Sequence, residues 1–263
     1  MKHQIKAVIF DWAGTTVDYG SFAPVQAFIS AFEEYGITPT AEEVRKPMGM
    51  LKRDHIRTML NMDRIRKEWK QIHGKDFTEN DVEQVYLTSE KNILDILKNF
   101  AKPKPWVLQT AAALREQGIR IGSTTGYTDE MMEVVVLAAK AQGYQPDCWY
   151  SPNTVDNIGR PWPYMIFENL KKLRIPSVAE AIKVGDTVAE IQEGLNAGMI
   201  SVGVIEGSSV MGLSQAEYEA LSQAGKEAAC RKARNVFEAA HATCVLQNMQ
   251  ELPQLIRQLQ EGH

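Results

Sequence analysis

The sequence predicts an α/β protein: a doubly wound, Rossmann-like parallel-sheet core with an inserted all-helical cap. Three observations carry that expectation. Ala7-Val8-Ile9-Phe10 is an unbroken apolar run with two β-branched residues, the pattern of a strand buried on both faces of a parallel sheet. From about residue 104 onward, short apolar runs alternate with helical patterns, as βαβ units require. Between these regions, residues 19–103 show helical periodicity and no strand candidate. The expected domains are a core of 1–18 with 104–263 and a cap of 19–103.

Taken in order, the first strand ends at Asp11, and Gly14, Thr15 and Thr16 follow it. Ala27, Phe28, Ala31 and Phe32 recur at helical spacing until Gly36, a C-terminal cap. Thr40 and Glu43 form a T-x-x-E capping box that opens another helix, and Pro47 with Gly49 breaks it. Further helices begin near Leu51, surround Trp69, and open at Thr78 to Asp81, the last with Val82, Val85, Leu94 and Leu97 on its apolar positions. Lys102-Pro103-Lys104-Pro105 reads as the return hinge. In the core, helices are expected over Trp106–Gln117, Asp129–Gln142, around Phe167 and Leu170, over Ile191–Ala197 and over Met249–Gln260. Strands are expected at Ile119–Ser123, Cys148–Tyr150, Ala181–Val184, Ile200–Val204 and Thr243–Leu246.

The 263 residues are enough for a sizeable core. A formal net charge of −4, with 24% charged and 44% hydrophobic residues, gives no basic field for nucleic acid or an anionic membrane. No apolar run approaches the ~20 residues of a membrane span. Met1-Lys2-His3-Gln4 leads straight into the first strand rather than into a secretory leader, so the expected location is cytoplasmic. Cys148, Cys230 and Cys244 are odd in number and lack CxxC spacing, which argues against a disulfide framework or a zinc site.

In an open α/β sheet, ligands meet the chain beyond the carboxyl ends of the strands. Those ends, with their following loops, carry Asp11, Ser123-Thr124-Thr125-Gly126, Arg160 and Asp186. Two carboxylates suit a hard cation such as Mg²⁺, and the Thr125 hydroxyl, the Gly126 amide and Arg160 suit phosphoryl oxygens. Each also has a plain structural reading: a turn for Thr125-Gly126, a surface position for Arg160, a helix N-cap for Asp186. Their joint order along the chain favours chemistry.

The segments DWAGTTVD, STTGY, GRPWP and VGDTVAE resemble, in order, the four motifs of the haloacid dehalogenase superfamily of phosphotransferases. That resemblance implies Asp11 as a nucleophile that becomes an aspartyl phosphate, Thr125 and Arg160 as phosphate ligands, and Asp186 as a holder of Mg²⁺. Glu190 is a second acidic candidate in the last motif. Phosphatases of the superfamily place a second aspartate where this chain has Ala13, whose carbonyl can still ligate the metal but whose side chain cannot protonate an alkoxide. KPMGMLKRDH in the insert resembles the cap of the branch that cleaves a carbon–phosphorus bond through a Schiff-base lysine, which implies Lys52 in that role and a small phosphonate as substrate. Some relatives carry a thiol near the first loop; Ser21 stands in this chain, so no catalytic cysteine is assigned.

Met48 and His55 flank Lys52 at near-helical spacing and, with Tyr127, are candidates for substrate positioning or proton transfer. Lys52 must spend time neutral, and burial together with Lys46 and Arg53, if close, would promote that. The family further implies a homodimer, with the apolar cap helices as its interface. Two other readings stand beside this one. An Mg-dependent phosphatase or mutase on the same fold is disfavoured by Ala13, and a phosphate-binding protein without turnover is disfavoured by the retained motif residues.

Overall fold

The computed structural model describes residues 4–261; the reading of the first residues as strand approach falls partly on Met1, Lys2 and His3, outside that range. Five parallel strands form one sheet: β1 (Ala7–Phe10), β2 (Arg120–Ser123), β3 (Ala181–Gly185), β4 (Ile200–Val204) and β5 (Cys244–Leu246), in the order β2-β1-β3-β4-β5. The chain crosses from one side of β1 to the other between β2 and β3, so the switch point lies between β1 and β3, where a doubly wound sheet opens a crevice. Register makes the consequence concrete. Phe10 lies opposite Val184, and the Asp11 N–H donates to the Val184 carbonyl at 3.0 Å, which brings the loops after β1 and β3 side by side.

Period-two alternation supplies both faces of the sheet. Val8 and Phe10 join Ile121, Ile182 and Val184 in a core closed by α6 (Val107–Glu116), α7 (Asp129–Ala141) and α12 (Leu252–Glu261). Ala7, Ile9 and Ala181 face the other way onto Ile166 and Leu170 of α8 (Tyr164–Lys172). Behind β3 and β4, Ile191 of α9 (Val188–Asn196) packs with Ala233 and Phe237.

Between β1 and α6 the described chain is helical: α1 (Phe22–Glu33), α2 (Ala41–Arg45), α3 (Lys52–Leu60), α4 (Asp63–His73) and α5 (Glu79–Ile96). Thr40 accepts from the Glu43 N–H at 3.2 Å while Glu43 accepts from the Thr40 N–H at 2.8 Å, and Thr78 with Asp81 repeats the reciprocal cap on α5. Val25, Phe28 and Phe32 of α1 pack with Ile56, Met59, Trp69, Val82 and Val85 in a hydrophobic cluster of this layer. Ala23 and Ala27, on the other side of α1, join the cluster beneath the sheet. The two connectors run together, with Val17 bridged to Pro103 and the Lys104 N–H donating to Thr16 O at 2.9 Å.

Two expectations need correction. Cys148–Tyr150 is not a regular strand: the segment runs parallel beside β2, with the Asp147 N–H donating to Ile121 O at 2.7 Å and the Tyr150 N–H to Ser123 O at 2.9 Å, but one extra residue between those contacts breaks the ladder and leaves a single bridge, Tyr150 to Thr124. The region between β4 and β5, to which the sequence reading gives no element, holds α10 (Gln215–Ala220) and α11 (Gln223–Ala239). Among the described residues, no helix is long and apolar enough to cross a membrane.

Candidate active site

The loop after β1 is fixed before any ligand is considered. Thr16 Oγ1 donates to Asp11 O at 2.9 Å, and the Lys104 ammonium donates to the Gly14 carbonyl. Gly14 has φ +82°, and a Cβ there would lie 2.0 Å from Asp186 Oδ2, so only glycine lets the two loops close on each other. Asp186 is held from both sides: Thr15 Oγ1 donates to Oδ1 at 3.2 Å and the Ser209 N–H to Oδ2 at 2.6 Å.

Beneath these carboxylates, Arg160 reaches in from the loop before α8 and uses its whole fork. Nη2 donates to Asp11 Oδ1 (2.7 Å) and Thr124 Oγ1 (2.9 Å), Nη1 to Glu190 Oε1 (2.8 Å), and Nε to Glu193 Oε2 (3.1 Å). Lys183, fully buried inside β3, donates to Thr124 Oγ1 at 2.7 Å and lies 3.2 Å from Glu193. Four carboxylates thus face three cations, Arg160, Lys183 and Lys104, in a space nearly closed to water.

Burial, followed by the charge of Glu190, pushes Asp11 up to about 6 against the pull of Arg160 and Lys183. Asp186 is driven well above the usual carboxylate range, first by burial and then by Glu190 and Asp11. Burial also works to raise Glu190, but Arg160 and Lys183 outweigh it and hold Glu190 low. Lys104 is lowered to about 8 by burial, with Asp186 the largest opposing charge.

Asp11, Asp186 and Glu190 each offer a carboxylate oxygen within 4.8 Å of the others. Glu190 Oε2 accepts the Asp186 and Thr187 amides, at 2.6 and 3.0 Å, and Oε1 accepts Arg160, so its lone pairs are already engaged. Asp11 Oδ2 carries no hydrogen bond among the described residues. Two crowded carboxylates driven towards protonation, presenting only oxygen, fit a hard divalent cation.

Over this floor lies a cavity of about 50 Å³ lined by Asp11, Ala13, Thr125, Gly126, Tyr127 and Arg160 from the sheet side. The helical layer contributes Ser21, Met48, Lys52 and His55. All the candidates but Asp186, which lies immediately beneath, therefore meet at one place. Thr125 Oγ1 accepts the Tyr127 N–H at 3.0 Å, and a Cβ on Gly126 would meet only open space. Burial holds the Tyr127 phenol well above its ordinary range, and its hydroxyl has no partner.

Lys52 opens α3 and crosses to the core, pressing on the Met131 sulfur with its ammonium 5.7 Å from the Tyr127 ring centre. Its Nζ pairs with Glu90 at 2.7 Å. Burial lowers Lys52 below the ordinary lysine value, with Glu90 opposing. The expected help from Arg53 is absent, because that guanidinium is drawn away to Glu83 at 2.6 Å and stacks 3.7 Å over Tyr86. Met48 and His55 do not share a helix: Pro47 and Gly49 keep Met48 in the turn before α3. His55 is buried and stacked 4.1 Å from Phe28; burial lowers it to about 3 and its Nε2 is unpartnered.

Sequence reasoning placed Thr124 at the end of β2 without giving it a role, and missed Lys183, Glu193, Lys104, Ser209 and Glu90 as site residues. Lys183 left a signal, a charge between Ile182 and Val184 in a buried strand, and Glu193 another, three residues after Glu190 on one helix face. Ser209 and Glu90 left none.

A family model of haloacid dehalogenase-like hydrolases matches residues 5–198, and the chain belongs to that family of hydrolases. Within it, the chain is similar to the phosphonoacetaldehyde hydrolase of Lysinibacillus sphaericus, at 50% identity over 258 residues, 98% of this chain and 96% of that one. That of Bacillus cytotoxicus is 46% identical, over 98% and 97% of the two chains. The crystal structure of a phosphonoacetaldehyde hydrolase-like protein from Oleispira antarctica matches with a TM-score of 0.94 and 36% identity, over 100% of this chain and 96% of that one. A β-phosphoglucomutase from Clostridium difficile, at TM-score 0.66 and 15% identity, shares the fold.

Proposed function

We propose that the protein hydrolyses the carbon–phosphorus bond of phosphonoacetaldehyde to acetaldehyde and phosphate, in the breakdown of 2-aminoethylphosphonate. One observation carries this reading: Asp11 and Lys52, a carboxylate and a burial-lowered amine from opposite walls, line the same small cavity. The similarity to named phosphonoacetaldehyde hydrolases supports the substrate. In this reading residues 19–103 act as a cap on a core of 1–18 and 104–263, and the protein works in the cytoplasm as a homodimer.

Breaking a carbon–phosphorus bond leaves an electron pair on carbon, and a bare carbanion is a poor leaving group. Lys52 supplies the sink. Its amine condenses with the aldehyde and releases water; the protonated imine then sits one carbon from the bond that breaks. Asp11 attacks phosphorus, the pair flows into the imine, and an enamine leaves as Asp11 takes the phosphoryl group. Protonation of the enamine and hydrolysis of the imine release acetaldehyde, while water frees phosphate from Asp11. Thr125, Gly126 and Arg160 hold the phosphoryl oxygens, and Met48, His55 and Tyr127 position the two-carbon part.

Asp11, Asp186 and the Ala13 carbonyl would hold Mg²⁺, which would supply positive charge against a carboxylate–phosphonate repulsion of ~4 kcal/mol per charge pair at 4 Å. Ala13 itself is consistent with the reaction, since an enamine leaving group needs no acid at that position.

The test is a panel of phosphonates and phosphate monoesters offered with Mg²⁺. Equal release of phosphate and acetaldehyde from phosphonoacetaldehyde, with monoesters untouched, is expected; preferential turnover of a monoester would reject the reading.

A further inference from the structure

We infer that Glu90 is a catalytic residue: it takes the proton from Lys52 and returns it to the departing hydroxyl as the imine forms. The inference rests on the Schiff-base reading above. An ammonium has no lone pair, so Lys52 must lose a proton before it can add to a carbonyl. Glu90 Oε1 lies 2.7 Å from Nζ, so that proton already sits in a charge-assisted hydrogen bond. The side chains are 11% and 17% exposed, which leaves little water to compete. The other contacts of Nζ are the Met131 sulfur, a weak acceptor, and the face of Tyr127. His55, in the same turn of α3, is a poor base because burial holds it near 3.

The step balances. Lys52 ammonium and Glu90 carboxylate become amine and carboxylic acid. The amine adds to the aldehyde carbon, and one N–H proton moves to the former carbonyl oxygen, giving a neutral carbinolamine. Glu90 then protonates that hydroxyl, water departs, and the nitrogen lone pair forms the protonated imine. Glu90 ends as the carboxylate it began as, ready for the reverse sequence when the imine is hydrolysed. Because Met131 belongs to α7 of the core, this exchange takes place with the helical layer seated on the sheet.

Rapid-quench borohydride trapping with phosphonoacetaldehyde separates this role from a merely structural one. The rate of reduced adduct formation on Lys52 is compared in wild type, Glu90→Gln and Glu90→Asp, with folding checked by circular dichroism. A ~100-fold slower rate is expected for Glu90→Gln, with partial recovery in Glu90→Asp, which keeps the carboxylate. If Glu90 only anchors the ammonium, glutamine removes a charge that favours protonation, and the adduct forms as fast as in wild type or faster. That outcome overturns the inference and leaves the imine standing. A Glu90→Asp rate no higher than that of Glu90→Gln overturns it too. No adduct even in wild type removes the imine, and the role of Glu90 with it.

Discussion

The floor of the cavity and its roof solve opposite problems. Below, Asp11, Glu190 and Glu193 interlock with Arg160 and Lys183 through contacts of 2.7 to 3.2 Å, while Asp186 is held by Thr15 and the Ser209 amide. Above, burial lowers both Lys52 and His55, and His55 Nε2 and the Tyr127 hydroxyl at the edge are left without partners. A saturated floor holds its charges still for a phosphoryl group. A dry roof holds the imidazole neutral and makes the Lys52 ammonium easier to deprotonate than an exposed one, as carbonyl chemistry requires. The difference divides the proposed reaction: phosphorus is handled by the sheet edge and carbon by the helical layer.

The comparison breaks most sharply at its two reacting groups. Asp11→Asn should lower kcat by on the order of 10⁴-fold or more while the fold persists, read by steady-state kinetics beside circular dichroism. Lys52→Arg keeps the charge but cannot form an imine, and a loss of similar size is expected. Retained activity in that variant would return the reaction to a phosphatase type confined to the floor. Removing divalent cations with a chelator should silence the wild type reversibly, Mg²⁺ restoring it; full activity in excess chelator would detach the acidic cluster from catalysis.

Smaller effects sharpen the contrast. Glu193→Gln breaks a buried pair and takes from Lys183 its direct carboxylate partner, a cost of ~3 kcal/mol that should appear as a fall of roughly 10 °C in melting temperature. The roof should respond to pH instead. His55 is held near 3 in the fold against about 6.5 when free, so the unfolded chain binds the extra proton between those values. Its contribution to stability is complete above pH 6.5 and declines at ~1.4 kcal/mol per pH unit as pH falls towards 3. The difference between wild type and His55→Gln in denaturant titrations should carry that slope; parallel curves would mean that His55 is not buried neutral.

What the sequence makes legible follows the range of the interactions. Asp11 and Asp186 are readable because each ends a short apolar strand, and Thr40 with Glu43 because a capping box is local. Cys148-Trp149-Tyr150 misleads because its aromatic, strand-like composition says nothing of the register beside β2, where only Tyr150 forms a bridge. α10 and α11 escape because α10 buries no side chain and α11 only Ala233 and Phe237, which is too little to give a clear apolar stripe. Glu90 lies on a helix rich in charged residues, and only the packing of α3 against α5 singles it out. Lys104 stands between two prolines and looks like a hinge residue until the β1 loop is seen above it.

The division of labour between floor and roof is tested most directly by peptide mass mapping after borohydride is added during turnover of phosphonoacetaldehyde. The account predicts a two-carbon or phosphonoethyl adduct confined to the peptide carrying Lys52, formed in proportion to lost activity and absent from Lys52→Arg. Continued phosphate release with Lys52 unmodified and no loss of activity would contradict it.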